Sequence, residues 1–67
     1  MDDYQERVKQ ERIELNEKLK KLFVFILSDD FMFLDEKEQE LLNTQFVNMV
    51  SYSTILRQRI EYFYTSS

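Results

Sequence analysis

Over its 67 residues the chain contains neither glycine nor proline. No other feature limits its folding as much. Tight turns draw on residues that take positive φ or lock the first turn dihedral, and Gly, Pro and Asn-Gly pairs supply both. A sheet needs such turns repeatedly. A helix needs none, and tolerates Gly and Pro least of all. The chain therefore reads as all-α. The same omission removes whole function classes. Phosphate-cradling and dinucleotide-binding loops need backbone conformations that only Gly accepts readily. The chain also lacks Cys and His, which removes disulfides, zinc sites of the usual kind, and the imidazole base of most acid–base catalysis. A chain of this make-up is expected not to be an enzyme and to carry no cofactor or metal.

Patterning along the chain predicts a single domain over 1–67. The first helix is expected near Asp2 or Asp3 and runs to about residue 27. A linker follows over 28–35, and a second long helix covers about 36–64, ending in polar Thr65-Ser66-Ser67. Asp2, Asp3 and Glu6 sit at the positive end of the first helix, and Lys18, Lys20 and Lys21 lie toward its negative end, as the macrodipole favours. Ser28 is expected to cap a short helical turn through Phe31, Met32 and Phe33. Asp35-Glu36-Lys37-Glu38 has the spacing of a capping box with Asp in the cap. Two long helices with a short connection make an antiparallel hairpin. A fold-back near residue 32 pairs positions whose numbers sum to about 64–68. Tyr4 then meets Tyr62 or Phe63, Arg7 lies near Arg59, and Leu15 lies near Met49 or Tyr52.

Both helices carry heptads. Val8, Leu15 and Leu22 recur every seven residues, as do Leu42, Met49, Leu56 and Phe63. One flank of each spine is mostly apolar: Arg12, Leu19 and Ile26 on the first helix, and Phe46, Ser53 and Ile60 on the second. The other flank is largely polar, with Tyr4, Glu11, Lys18 and Phe25 facing Gln45, Tyr52 and Arg59. Polar residues at seam positions admit two readings. They fix register, as Glu11 with Arg59 or Lys18 with Tyr52 would, at a cost in stability. Alternatively they line a cavity between protomers and hold a polar ligand, with cations and amides donating and tyrosine rings offering faces to bases. At the open end of the hairpin, Tyr4, Arg7 and Arg12 approach Arg57, Arg59, Tyr62 and Tyr64. That mixture of cations and rings suits a phosphorylated, base-bearing ligand. It equally suits tyrosines packed on long aliphatic stems, with arginines complementing the end of the helix. The candidate ligand-binding residues are Tyr4, Arg7, Glu11, Lys18, Gln45, Tyr52 and Arg59.

Ile13, Val24 and Leu27 point away from the first spine, and Leu41, Ile55 and Tyr62 away from the second. A lone hairpin has one seam and cannot cover them. Chains this short seldom stand alone without disulfides, metal or association. A homo-oligomer with closed symmetry, a dimer or tetramer of hairpins forming a helix bundle, is therefore expected. A two-fold axis through a polar cavity would suit a ligand that is itself nearly two-fold, such as a cyclic dinucleotide. Nine basic and thirteen acidic side chains leave a net charge of −4, and the excess lies in the middle. Residues 29–40 carry six acids against Lys37. Such a chain lacks the basic footprint of a duplex nucleic-acid binder. The acids of that stretch lack the spacing and the Gly of a calcium loop. The longest apolar run, Leu22 to Leu27, has six residues, far short of the roughly 20 that span a bilayer. No membrane association is expected, and Met1-Asp2-Asp3 is acidic where a secretion signal would be basic.

The pattern Tyr4-Gln5-x-Arg7-Val8, then Glu11, Leu15, Lys18, Leu22 and Phe25, and later Leu41-Leu42, Gln45, Met49, Tyr52, Leu56 and Arg59-Ile60, resembles a widespread family of very short helical proteins encoded by tailed phages. In size, helical make-up and expected oligomerisation the chain also resembles phage anti-defence sponges of the anti-CBASS type, which bind cyclic oligonucleotide immune signals without cleaving them. That resemblance implies a non-enzymatic sponge in the cytoplasm of the infected bacterial host. Arg7, Lys18 and Arg59 would meet phosphates, Tyr4 and Tyr52 would stack on bases or ribose, and Gln45 would read a base edge. A helical inhibitor or assembly factor that binds a host protein through its exposed apolar residues is the competing expectation.

Overall fold

A computed structural model describes residues 3–65. Asp2 and the polar tail Ser66-Ser67, which figure in the expected helix ends, lie outside the described residues. The order of elements is α1 (Asp3–Ile26), α2 (Asp29–Met32) and α3 (Glu36–Thr65). α1 and α3 run antiparallel, and the rod they form measures 50 × 15 × 14 Å between Cα atoms. The expected helix boundaries hold to within one residue at each described end.

The hinge is built by local chemistry. Asp35 caps α3, its Oδ1 accepting from the Glu38 amide at 2.8 Å. This satisfies one of the amide groups that a helix start leaves without an intrahelical partner. The Gln39 side chain then reaches back and donates to the carbonyls of Phe31 at 2.9 Å and Leu34 at 3.2 Å, tying the first turn of α3 to the end of α2. The expected role of Ser28 needs correction. Ser28 stands at the cap position of α2 but makes no capping bond through its side chain. Its hydroxyl donates instead to the Phe25 carbonyl at 2.5 Å. The free carbonyls at the end of α1 compete for that proton and win, so Ser28 closes the helix before it rather than opening the one after. The Phe25 and Phe31 rings meet edge to face at 6.3 Å, bracing the same corner.

The macrodipole reading is also revised. The last turns of α1 and α3 contain no basic residue. Lys18, Lys20 and Lys21 lie further from Ile26 than the single turn over which the dipole acts, and the same holds for Arg57 and Arg59 relative to Thr65.

The core is thin. Val8, Leu15 and Leu56 are the buried apolar residues, with Leu19, Met49, Ile60 and Phe63 packed against them. These come from the two predicted spines and their apolar flanks. Leu56 is fully enclosed, and burial of a side chain of that size contributes about 1.5–3 kcal/mol. Many large apolar groups stay in water. Val24 is 62% exposed and Leu27 is 70% exposed.

Candidate functional site

The core seam divides the hairpin into two long edges, which the chain treats differently. Successive helical residues turn by about 100°, so each side chain's edge follows from its number. Along the first edge the helices are joined at three levels. Near the open end the Lys9 ammonium donates to the Tyr64 hydroxyl and lies 4.8 Å from the centre of that ring. At mid-length the Ser53 hydroxyl donates to Asn16 Oδ1 at 2.6 Å. Toward the hinge, Phe23 stacks on Phe46 with ring centres 5.8 Å apart.

The second edge is joined at its open end. Arg59 donates to the Tyr4 hydroxyl, with its guanidinium carbon 5.7 Å from the ring centre. Tyr4 also meets the Phe63 ring edge to face at 6.0 Å. This confirms the expected pairing of Tyr4 with position 63, and brings two residues 55 positions apart in sequence into one cluster. The remaining candidates follow along the same edge by helical spacing. Glu11 is half-buried, whereas Lys18, Gln45 and Tyr52 are exposed. Gln45 makes a weak contact with the sulfur of Met49 at 3.8 Å. Arg7 lines a shallow depression with Asp3, Glu6 and Gln10.

Among the described residues, neither Glu11 with Arg59 nor Lys18 with Tyr52 forms a bond, so the two pairs named for the register-setting reading are not made within one chain. Arg59 has the Tyr4 hydroxyl instead. Arg57, from the open-end group, turns along its own helix to Glu61 at 2.9 Å. Arg12 occupies a seam position beside the core, and its Nε is buried without a hydrogen-bond partner among the described residues.

Sequence reasoning missed the two polar ties of the joined edge. Ser53 lies on the mostly apolar flank, where a hydroxyl needs a partner, and that need is the signal for its bond. Lys9 stands beside the seam rather than on it, and heptad counting passes over such positions.

Chemically, the second edge offers two guanidiniums, an ammonium, a carboxylate, a primary amide and two phenol rings. The cations suit phosphate through charge-assisted bonds, the rings suit bases through their faces, and the amide and carboxylate suit polar base or sugar edges. No group of three or more acidic side chains among the described residues is placed to hold a metal ion. Among the described residues no helix is long and apolar enough to cross a membrane.

Comparison with known proteins adds identity to this geometry. An uncharacterized 7.5 kDa protein from the denB-rIIB intergenic region of Enterobacteria phage T4 is 43% identical over 60 residues, covering 90% of this chain and 94% of that protein. No solved structure matches. The family model for Sequestin matches residues 2–62, nearly the whole hairpin. This chain, a relative of a short phage protein, therefore belongs to the Sequestin family.

Proposed function

We propose that the chain is a non-enzymatic sponge that binds and sequesters a cyclic oligonucleotide immune signal, and so blocks bacterial antiphage defence during infection. One observation carries the reading. Arg59 and Tyr4, from opposite ends of the sequence, meet on an edge that also bears Lys18, Gln45 and Tyr52, which among the described residues make no bond between α1 and α3. The family name speaks of sequestering, and a short phage protein is a close relative in length and sequence. Both fit a protein whose action is to hold a molecule rather than change it.

In this reading Arg7, Lys18 and Arg59 meet phosphates. Tyr4 and Tyr52 stack on bases or ribose, Gln45 reads a base edge, and Glu11 accepts a hydrogen bond from the ligand. The ligand sits between copies of the chain in a homo-oligomer, where water is partly excluded and each charged contact is strengthened. The site of action is the host cytoplasm, where such signals are made.

The test is thermal unfolding with a panel of cyclic di- and trinucleotides. A ligand at one hundred times its dissociation constant stabilises the folded form by about 2.7 kcal/mol, which for a domain of this size raises Tm by roughly 10 °C or more. The ligand should be recovered chemically intact after the protein is denatured. Recovery of a cleaved product would make the chain an enzyme and end the proposal. A second reading, an inhibitor of a host protein, is favoured by the outward apolar residues Ile13, Val24 and Leu27, each more than half exposed. It requires a specific host protein to co-purify with the chain, lost on Val24→Glu, and no nucleotide to shift the Tm.

A further inference from the structure

α3 carries a second heptad seam that α1 leaves uncovered. Leu41, Asn48, Ile55 and Tyr62 recur every seven residues, with Gln45, Tyr52 and Arg59 midway between them. The steps alternate four and three, the spacing of a helix-pairing face. The seam lies one residue behind the filled one, which turns it by about 100° around the helix. All of its members are exposed except Arg59, which is half-buried. Its large apolar members are well out in water: Leu41 at 54%, Ile55 at 52% and Tyr62 at 67%.

α1 shows the matching feature on the same edge of the hairpin. Arg7, Glu11, Glu14, Lys18 and Lys21 follow the same alternating steps, so this stripe is almost wholly charged. The order of its signs decides how two such edges fit together. The seam of α3 is centred beside Tyr52, and the Ser53–Asn16 bond sets the level of α1 opposite that point. If two copies meet antiparallel about this centre, positions on the two α1 helices that sum to about 32 face each other. Glu14 of one copy then meets Lys18 of the other, and Glu11 meets Lys21, each twice over. On the α3 side Gln45 meets Arg59. The edge is therefore complementary to itself when like helices lie antiparallel across it, about a two-fold axis perpendicular to the rod. It is also large enough. A face of 50 × 15 Å covers roughly 750 Å², close to the roughly 800 Å² per partner of a stable interface.

We propose that two copies pair antiparallel across this edge, α3 on α3 and α1 on α1, into a four-helix bundle whose interior is the ligand site. On each helix the residues lying between its two seams turn toward the bundle axis. These are Tyr4, Glu11 and Lys18 on α1, and Gln45, Tyr52 and Arg59 on α3. A single chain presents these groups as a flat strip. The second copy turns the strip into a chamber and sets its own Gln45 beside Arg59. The inference rests on the sequestering reading for the chamber's occupant, but the pairing stands on geometry and charge alone.

A charge exchange between copies tests the pairing. Glu14 and Lys18 are exposed, and the variants Glu14→Lys and Lys18→Glu are each expected to keep their helix content by circular dichroism. In sedimentation the unaltered chain should run as a dimer. Each variant alone sets two like-charge contacts across the interface and should dimerise about ten-fold more weakly. An equimolar mixture of the two restores both opposite-charge contacts and should recover dimerisation close to that of the unaltered chain. An effect confined within one helix would not be rescued by mixing. The chain has no cysteine, so Tyr52→Cys gives an independent readout, and it should yield a disulfide-linked pair on oxidation. A monomeric unaltered chain, or single variants that dimerise normally, or a mixture with no recovery, each overturns the proposal. Nucleotide binding by a chain that stays monomeric overturns it while leaving the sequestering reading in place. An unaltered chain that dimerises, with the charge exchange rescued by mixing, but that binds no cyclic nucleotide does the reverse.

Discussion

The two edges of this hairpin are built from the same kinds of residue and behave in opposite ways. One is closed along its length by Lys9 with Tyr64, Ser53 with Asn16, and Phe23 on Phe46. The other is fastened at its open end by Arg59 and Tyr4, and then leaves Lys18, Gln45 and Tyr52 in water. A closed edge stabilises the hairpin, whereas an open edge of cations, amides and rings is available to something outside the chain. Substitutions on the two edges should therefore separate: those on the first lower stability and spare binding, and those on the second do the converse.

The largest effect on folding belongs to the residue between the edges. Leu56 is fully enclosed, and Leu56→Ala should lower unfolding stability by about 2–5 kcal/mol in urea titration. It sets the scale for the rest. Next comes Arg59→Ala, which should weaken binding of the cognate cyclic nucleotide by an amount equivalent to about 1.5–3 kcal/mol while moving Tm only slightly. Equal losses of binding and of stability would mean that Arg59 is simply part of the scaffold. Asn16→Ala takes away the acceptor of a hydroxyl that is 8% exposed. It should cost about 1 kcal/mol, the low end of the usual range, because a serine hydroxyl can turn to a carbonyl one helical turn back. Nucleotide affinity of the remaining folded protein should not change, and a change would place the ligand on the wrong edge in this account. The smallest effect is expected from Lys20→Ala, which touches neither edge and should stay within about 0.5 kcal/mol in stability with unaltered binding.

Helix extent was legible because nothing in the chain interrupts it before Ser28 and Asp35, and because Asp35 has a single evident role at the start of α3. The register was legible from the length of the linker, and the meeting of Tyr4 with Phe63 follows from it. Side-chain choice was not legible where several partners compete for one group. Ser28 had two helix ends within reach and bonded the earlier one. Arg59 had Glu11 and Tyr4 within the same stretch of edge and took the phenol. Gln39 holds the corner by bonding two carbonyls of the linker, a contact that depends on how the chain bends and leaves no mark in heptad spacing. The candidate residues share one edge because helical periodicity dictates edges, while the pairings along that edge depend on a few ångströms that periodicity does not encode.

Calorimetric titration of the intact chain with a panel of cyclic di- and trinucleotides, repeated with Arg59→Ala, addresses the working edge most directly. Saturable heat from one member of the panel, strongly reduced in the variant, is the expected result. Silence from every member, or binding that Arg59→Ala leaves untouched, would contradict the account.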